Sequence, residues 1–434
     1  MREMKDSGIE WIGEIPNDWD VSKIKFVADF EPTCNFENVS PEDRIAYAPM
    51  ECIKQGFYEA RDAQYEELSH SLTPFQNGDI VMAKVTPCFE NGNIAIMNEL
   101  PSGIGLGSSE LFVFRAKNIV AKYLFYWLQN SDFIQRACST MTGVGGLKRV
   151  SPFFCKNCEI HIPPYNEQGR IADYLDRKCS QIDAIIARQQ EVLEKLKAYK
   201  LSIITEAVTK GLNPDVPMKD SGVEWIGAIP DFWDVVPLKT CSDILPGYAF
   251  SSDDFDTENG TALLRGINVT PNGVRWEDVV YWNKPITEQL REFELVAGDI
   301  VVGLDRPWVS GGTRVCWVTQ KDLPALLLQR VCRIRAKEDI DSRWIYHWIA
   351  SKSFQEALSI ETTGVSVPHI STKQIGQFSI ALPPIEVQHQ ICDTLEMKCR
   401  SVDKMVDKKQ AIIDKLTEYK KSLIYEVVTG KKEV

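Results

Sequence analysis

A chain that repeats itself at a fixed offset must build two related bodies, and this one repeats over most of its 434 residues. Lys5–Val21 (KDSGIEWIGEIPNDWDV) returns as Lys219–Val235 (KDSGVEWIGAIPDFWDV), 214 positions later. Gly78-Asp79-Ile80-Val81 returns as Gly298-Asp299-Ile300-Val301, and the block 162–211 returns as 382–431, both 220 positions later. Between these blocks the two halves share little beyond pattern. Similar edges with divergent middles describe a tandem duplication, and so long a period excludes a short-repeat solenoid.

The 162–211 block dictates a long helix. Pro163-Pro164 cannot continue a helix, Asn166 suits an N-cap, and Glu167 and Gln168 fall in the first turn. From Glu167 to Val208 there is no proline, Gly169 is the only glycine, and Gly211 supplies a stop. Apolar residues fall on a two-position heptad seam: Ile171, Leu175, Ile182, Ile185, Val192, Leu196, Tyr199 and Ile203, then Ile391, Leu395, Val402, Met405, Ile412, Leu416, Tyr419 and Leu423 in the second copy. The heptads break at matching places, Lys178 with Lys398 and Gln189 with Lys409. At ~1.5 Å per residue, a helix of about 42 residues spans roughly 63 Å. A seam so narrow is not stable alone in water. The two helices are therefore expected to pair with each other as an antiparallel coiled coil, in preference to each packing on its own domain.

The middles, 22–165 and 236–385, hold short β-type runs (GDIVMAKV, ELFVFRA, DIVVGL, QRVCRIRA) broken by Gly, Pro and Asn. Each closes on an aromatic-rich helical stretch, KYLFYWLQNSDFIQRA or RWIYHWIASKSFQEAL. The expected fold class is α+β (mixed α/β): two globular domains joined and separated by the two helices, with a pseudo-two-fold internal duplication. The expected boundaries are 1–165 for the first domain, 166–212 for the first spacer helix and linker, 213–385 for the second domain and 386–434 for the second helix. Trp11, Trp19, Trp225 and Trp233 recur in both copies and are assigned to the core.

Apolar content of 44% and charged content of 25% suit a globular protein. No run approaches the ~18–20 apolar residues of a membrane span, and the start, MREMKDSGIEWIGEIP, has no signal-like apolar region. Twelve scattered cysteines fit free thiols in a reducing cytoplasm. The formal net charge of −12 discourages a nucleic-acid partner for the chain as a whole. By segment it divides into −7 (1–165), +1 (166–212), −7 (213–385) and +1 (386–434), so any DNA surface must be a local basic patch.

Catalytic motifs fail one by one. Ile162-Pro163-Pro164-Tyr165 looks like the polar-Pro-Pro-aromatic loop of amino-methyltransferases, but Ile162 cannot accept an amino hydrogen. Gly103-Ile104-Gly105-Leu106-Gly107 leads into a strand-like run instead of a helix, so it reads as a surface turn and not a cofactor loop. Cys155-x-x-Cys158 lacks a second half for zinc. No GxxxxGK[ST] occurs, and His70, His161, His347, His369 and His389 form no triad-like cluster in sequence. Catalytic, cofactor-binding and metal residues are therefore expected to be none.

Two similar domains on paired helices suit duplex DNA, whose grooves repeat under a local two-fold. The sequence resembles the specificity subunits of Type I restriction–modification systems. The resemblance runs through Glu10-Trp11-Ile12-Gly13-x-Ile15-Pro16 and Glu224-Trp225-Ile226-Gly227-x-Ile229-Pro230, the GDIV strands, Thr142-Gly143 and Thr363-Gly364, and Pro163-Pro164-x-x-Glu167-Gln168 with its helix and Tyr199-Lys200-x-Ser202. It covers essentially the whole chain, with one departure at Val387, where the first copy has Glu167. It implies two target recognition domains reading a split double-stranded DNA target, with the helices setting the gap. It also implies that the chain is not catalytic and works in the cytoplasm without a membrane. Its partners would be two modification (methyltransferase) subunits and restriction/translocase subunits, which would carry S-adenosylmethionine, ATP and Mg. The competing reading is a two-domain scaffold or adaptor that does not bind DNA.

Base reading needs Arg, Lys, Asn or Gln on loops, and phosphate contacts need basic or hydroxyl groups. The candidates are Lys84, Thr86, Asn91, Asn93, Lys148 and Arg149 in the first copy. In the second they are Arg265, Asn268, Arg306, Arg314 (after Gly311-Gly312) and Arg330.

Overall fold

The structure, a computed structural model, describes residues 2–434 apart from 70, 145, 272, 310, 311 and 360–367. Gly311, Thr363, Gly364 and His70 thus lie outside the described residues. The chain forms two compact units, residues 1–189 with 411–434, and residues 190–410. The two long helices run Tyr165–Lys210 and Ile385–Val428. Each unit therefore contains one end of each.

Within each unit the helical segments lie antiparallel. In the first unit Asp183 meets Lys420 at 2.7 Å, and Tyr123 Oη donates to the carbonyls of His161 and Val428 at 3.0 and 3.2 Å. In the second unit Lys200 meets Asp403 at 2.7 Å. The two ion pairs are the same pair in two copies, displaced by 220 positions with the charges in reciprocal order.

The heptad seam holds at the helix starts and then turns away. Ile171, Leu175, Ile182, Ile391, Leu395, Val402 and Leu423 are buried, and Leu196, Ile203 and Leu416 are half-buried. Ile185, Val192, Tyr199, Met405, Ile412 and Tyr419 are exposed, correcting their assignment to the seam. A strict seven-residue repeat drifts ~20° per heptad around a straight helix, so Tyr199, four heptads after Ile171, has rotated by about 80°. Leu193, Ile204, Ile413 and Ile424 are buried where those residues were expected.

The globular body of each unit is built around a four-stranded antiparallel sheet. In the first unit Ile80–Ala83 lies between Leu111–Ala116 and Ile94–Ile96, with Ala28–Phe30 beyond Leu111–Ala116. In the second, Ile300–Gly303 lies between Val331–Ala336 and Val315–Trp317, with Ser242–Pro246 outermost. The register repeats: Ile80 faces Phe114 and Ile300 faces Ile334. All four residues of each central strand are buried, which explains a continuous apolar run where a one-faced strand would alternate. A second four-stranded sheet contributes a parallel pair in each unit, Ala46 opposite Gly105 and Ala262 opposite Ala325.

The GDIV motif is a turn with a buried clasp. Gly78 and Gly298 have φ of +87° and +96°, a left-handed conformation that disfavours a side chain. Asp79, fully buried, accepts from Gln76 N at 2.9 Å and from Nε and Nη2 of Arg115 at 2.8 Å each. Asp299 repeats this with Val296 N at 2.8 Å and with Arg335 at 2.7 and 2.8 Å. The Gly103–Gly107 run is not a surface turn. Ile104–Gly107 is a strand, and at Gly105 a Cβ would collide with the Phe75 ring.

The glutamine of PPxxEQ locks each helix to its body. Gln168 Oε1 accepts from Val120 N at 2.8 Å, and its Nε2 donates to Pro163 O at 2.9 Å. Gln388 does the same with Asp341 N at 3.0 Å and Pro383 O at 2.8 Å. The residue before it differs. Glu167 accepts from Trp19 Nε1 at 3.1 Å and from Arg2 Nη2 at 2.8 Å, while Arg2 also bonds Asp18 at 2.7 Å. In the second copy Val216, Phe232 and Val387 stand in place of Arg2, Asp18 and Glu167, and the buried Trp233 Nε1 has no hydrogen-bond partner among the described residues. Trp19 and Trp233 are core residues, each 1% exposed, as assigned, while Trp11 and Trp225 are half-buried beside them.

Two predictions follow from these buried polar groups. Glu167→Val should destabilise the first unit by about 1–3 kcal/mol, because it leaves the buried Trp19 Nε1 without its acceptor and takes one of two carboxylates from Arg2. Adding Arg2→Val should recover part of that loss, read by hydrogen exchange of the strand Asp20–Lys23. Burial lowers the pKa of His161 and His347 from the ordinary 6.5 to about 4. Both histidines are therefore neutral when folded, and stability present above pH ~6.5 should be lost as pH falls towards 4, by at most about 1.4 kcal/mol per pH unit each. Urea midpoints at pH 7, 6, 5 and 4.5 should show the slope, and His161→Gln should reduce it.

Candidate nucleic-acid interface

Past the central strand of each sheet, the chain is crossed by the segment that leads to a short helix, Pro152–Asn157 or Thr372–Gln377. The crossing is held by three backbone bonds that recur at an offset of 220. In the first unit Lys84 N donates to Glu110 O at 3.0 Å, Thr86 N to Lys148 O at 3.0 Å, and Val150 N to Lys84 O at 2.9 Å. In the second, Leu304 N donates to Arg330 O at 3.0 Å, Arg306 N to Pro368 O at 2.8 Å, and Ile370 N to Leu304 O at 2.9 Å. Val85 bridges Arg149 and Asp305 bridges His369. The backbone ladder is common to both units, and every side chain on it differs. Lys84, Val85, Thr86, Glu110, Lys148 and Arg149 become Leu304, Asp305, Arg306, Arg330, Pro368 and His369.

The sequence candidates divide on this frame. Lys148 and Arg149 lie on an exposed strand, Leu147–Arg149, that pairs with Thr142–Val144. Arg149 grips Glu110 with Nε at 2.8 Å and Nη2 at 2.7 Å, and that contact holds the Glu110 carboxyl below the usual carboxylate range. Lys84 is half-buried, its ammonium 5.6 Å from the centroid of the Phe112 ring. The Thr86 hydroxyl donates to Gly146 O at 2.6 Å and accepts from Lys148 N at 3.0 Å, so it braces the hairpin. Asn91 and Asn93 stand apart from the ladder, with Asn91 lining a cavity of about 340 Å³ beside Lys420, Lys421 and Ile424.

In the second unit, Arg306 and Arg330 are exposed, with φ of +46° and +67°. Between them Asp305 takes His369 Nδ1 at 2.6 Å and Arg330 Nη1 at 3.5 Å. Three of the candidates prove to be structural. Asn268 is fully buried, its Oδ1 accepting from Arg265 N at 3.0 Å and its Nδ2 donating to Arg275 O at 2.8 Å, so it cannot reach a base. Arg314 is half-buried and donates to Val269 O at 3.2 Å and Asp305 O at 2.9 Å, and burial lowers its pKa. Arg265 donates to Asp278 O, which ties it to its own turn.

Sequence reasoning missed Glu110, Asp305 and His369. Placing the halves side by side at an offset of 220 would have found them, since Glu110 falls on Arg330 and Arg149 on His369, two charged positions that change identity together.

Among the described residues, no group of three or more His, Cys, Asp or Glu is arranged to hold a metal. Cys155 and Cys158 are buried in the first unit, and burial raises both thiols, Cys158 to about 12.

Comparison with known proteins places this frame in context. The sequence matches the family described as Type I restriction modification DNA specificity domain, over residues 16–195 and again over 230–418. It is 27% identical to the Type I restriction enzyme EcoAI specificity subunit of Escherichia coli, an alignment covering 90% of this chain and 79% of that one. It is also 27% identical to the MjaVIII specificity subunit of Methanocaldococcus jannaschii, covering 96% and 93%. A solved chain from work on complex assembly and conformational transition of the type I R-M system shares the fold, with a TM-score of 0.69 and 16% identity over 96% of this chain and 99% of that one.

Proposed function

The chain belongs to the Type I restriction–modification DNA specificity family, and we propose that each of its units reads one half of a split duplex target while the long helices fix the gap. The observation that carries this reading is the ladder: one backbone frame, used twice, with every exposed side chain changed. Two readers of one sequence would keep those side chains. Readers of two different half-sites must change them while keeping the frame that presents them. A scaffold that never touches DNA has no need for that pattern.

The chain acts as a DNA-recognition subunit and assembles with the other subunits of the restriction–modification system. In our reading it does no chemistry of its own. Two modification subunits would supply S-adenosylmethionine and methylate the target adenines, and restriction/translocase subunits would supply ATP- and Mg-dependent cleavage. Among the described residues no helix is long and apolar enough to cross a membrane, and we place the complex in the cytoplasm, where its DNA is. Each recognition segment carries a charge of −7, so phosphate neutralisation must come largely from partner subunits. DNA binding by the isolated chain is accordingly weak and salt-sensitive.

Methylome sequencing of cells that express the chain with its modification subunits tests the bipartite reading. The expected result is a split motif methylated on both strands. Exchanging residues 236–385 for those of another family member should change one half of that motif. A change in both halves, or in neither, would refute the two-reader scheme. For the helices, removing one heptad from each should alter the gap or abolish methylation. An unaltered gap with full activity would contradict the spacer role.

A further inference from the structure

Arg149 and Glu110 form a pair whose geometry says more than that the interface is basic. The carboxylate takes one edge of the guanidinium, through Nε at 2.8 Å and one hydrogen of Nη2 at 2.7 Å. A guanidinium carries five N–H donors in a fixed fork. Both hydrogens of Nη1 and the second of Nη2 are not spent on Glu110, and they lie on a side chain that is 48% exposed. That remaining edge has the spacing to donate to guanine O6 and N7 in the major groove. A phosphate is a poor partner for the same group, because its negative charge would sit beside the Glu110 carboxylate in a half-exposed site.

The second unit also sets a cation beside a carboxylate on the ladder, at other positions and through a single, longer contact. Here the cation stands at the Glu110 position, as Arg330, and the carboxylate is Asp305, 3.5 Å from Arg330 Nη1. His369, at the Arg149 position, fixes that carboxylate through Nδ1 at 2.6 Å. The Arg330 side chain is 74% exposed. Beside each pair on the same ladder stands a cation, Lys148 or Arg306, with no carboxylate within ion-pair distance among the described residues. These are the groups suited to a phosphate.

We propose that Arg149, positioned by Glu110, and Arg330, beside Asp305, each read a guanine base edge in their own half-site, and that Lys148 and Arg306 hold the adjacent phosphates. The proposal rests on the bipartite reading above and adds the division of labour within each half-site.

The test uses the chain assembled with its modification subunits, combining methylome sequencing with DNA binding measured across a salt series. Arg149→Lys keeps the charge but loses the fork. It should make one guanine-containing base pair of one half-site degenerate, lowering discrimination there by about 5- to 150-fold, with the other half intact. Arg330→Lys should do the same in the other half. Glu110→Gln should relax the same base pair as Arg149→Lys, to a smaller extent, and no other position. Lys148→Ala and Arg306→Ala should leave both half-sites unchanged and reduce the salt slope by about 0.9 each.

The proposal is overturned if Arg149→Lys preserves the full motif, or if the base pair it relaxes contains no guanine. Loss of methylation at every sequence by an Arg149→Lys complex with an unaltered melting curve would overturn it too, since relaxing one base pair widens the set of accepted sites. Failure of the underlying reading would look different: the unsubstituted chain would give no split motif at all.

Discussion

Two buried side-chain amides hold the rest of the architecture in place. Gln168 and Gln388 are 2% and 1% exposed, and each uses both ends of its amide. One end closes on the proline carbonyl just before the long helix, and the other on a backbone N–H of the recognition body, Val120 or Asp341. A buried amide left half-satisfied costs about 1–3 kcal/mol, so the helix start has one direction relative to its body. Only with that direction fixed can a helix segment from the other copy dock in an antiparallel sense and place Lys420 on Asp183 or Lys200 on Asp403. This also explains which residue of the PPxxEQ motif could be lost. The glutamine ties body to helix and is present in both copies. The glutamate serves Trp19 and Arg2, and where Val216 replaces that arginine its carboxylate would be a buried charge without a partner.

The same economy governs the interface. The three-bond ladder past the central strand uses only backbone groups, so it constrains no side chain. The GDIV clasp lies at the other end of the same strand, where Asp79 and Asp299 are fully buried on their arginines and anchor the strand away from the ladder. A frame held by backbone bonds and a buried ion pair leaves the outer residues free to vary. That is what a reader of changing sequences requires, and it is why the duplicated blocks are legible while the middles look unrelated.

What could be read from the sequence follows from this. The duplication, the long helices, the buried strands after GDIV and the core tryptophans all depend on local pattern, and each has a local physical cause. The heptad seam failed at Val192, Tyr199, Ile412 and Tyr419 because a seven-residue pattern was extended along a helix that keeps its own 3.6-residue turn. Ile104–Gly107 was misjudged because its glycines answer to the Phe75 ring, a contact made 30 positions away in the sequence. At the interface, composition selected residue types suited to DNA contact but could not tell surface from interior. Asn268 and Arg306 read alike in sequence. One closes a buried turn and the other stands exposed in a left-handed conformation.

Charge sharpens the same point. A recognition segment with seven more acidic than basic side chains cannot hold DNA by diffuse attraction, and diffuse attraction carries no sequence information in any case. Acidity on the body suppresses non-specific binding, and it leaves the few cations on the ladder to decide where the chain settles. Pairing an arginine with a carboxylate extends that logic to a single side chain. The pair gives up phosphate affinity and keeps a directed set of donors for a base edge. A subunit whose task is to discriminate gains specificity from that exchange.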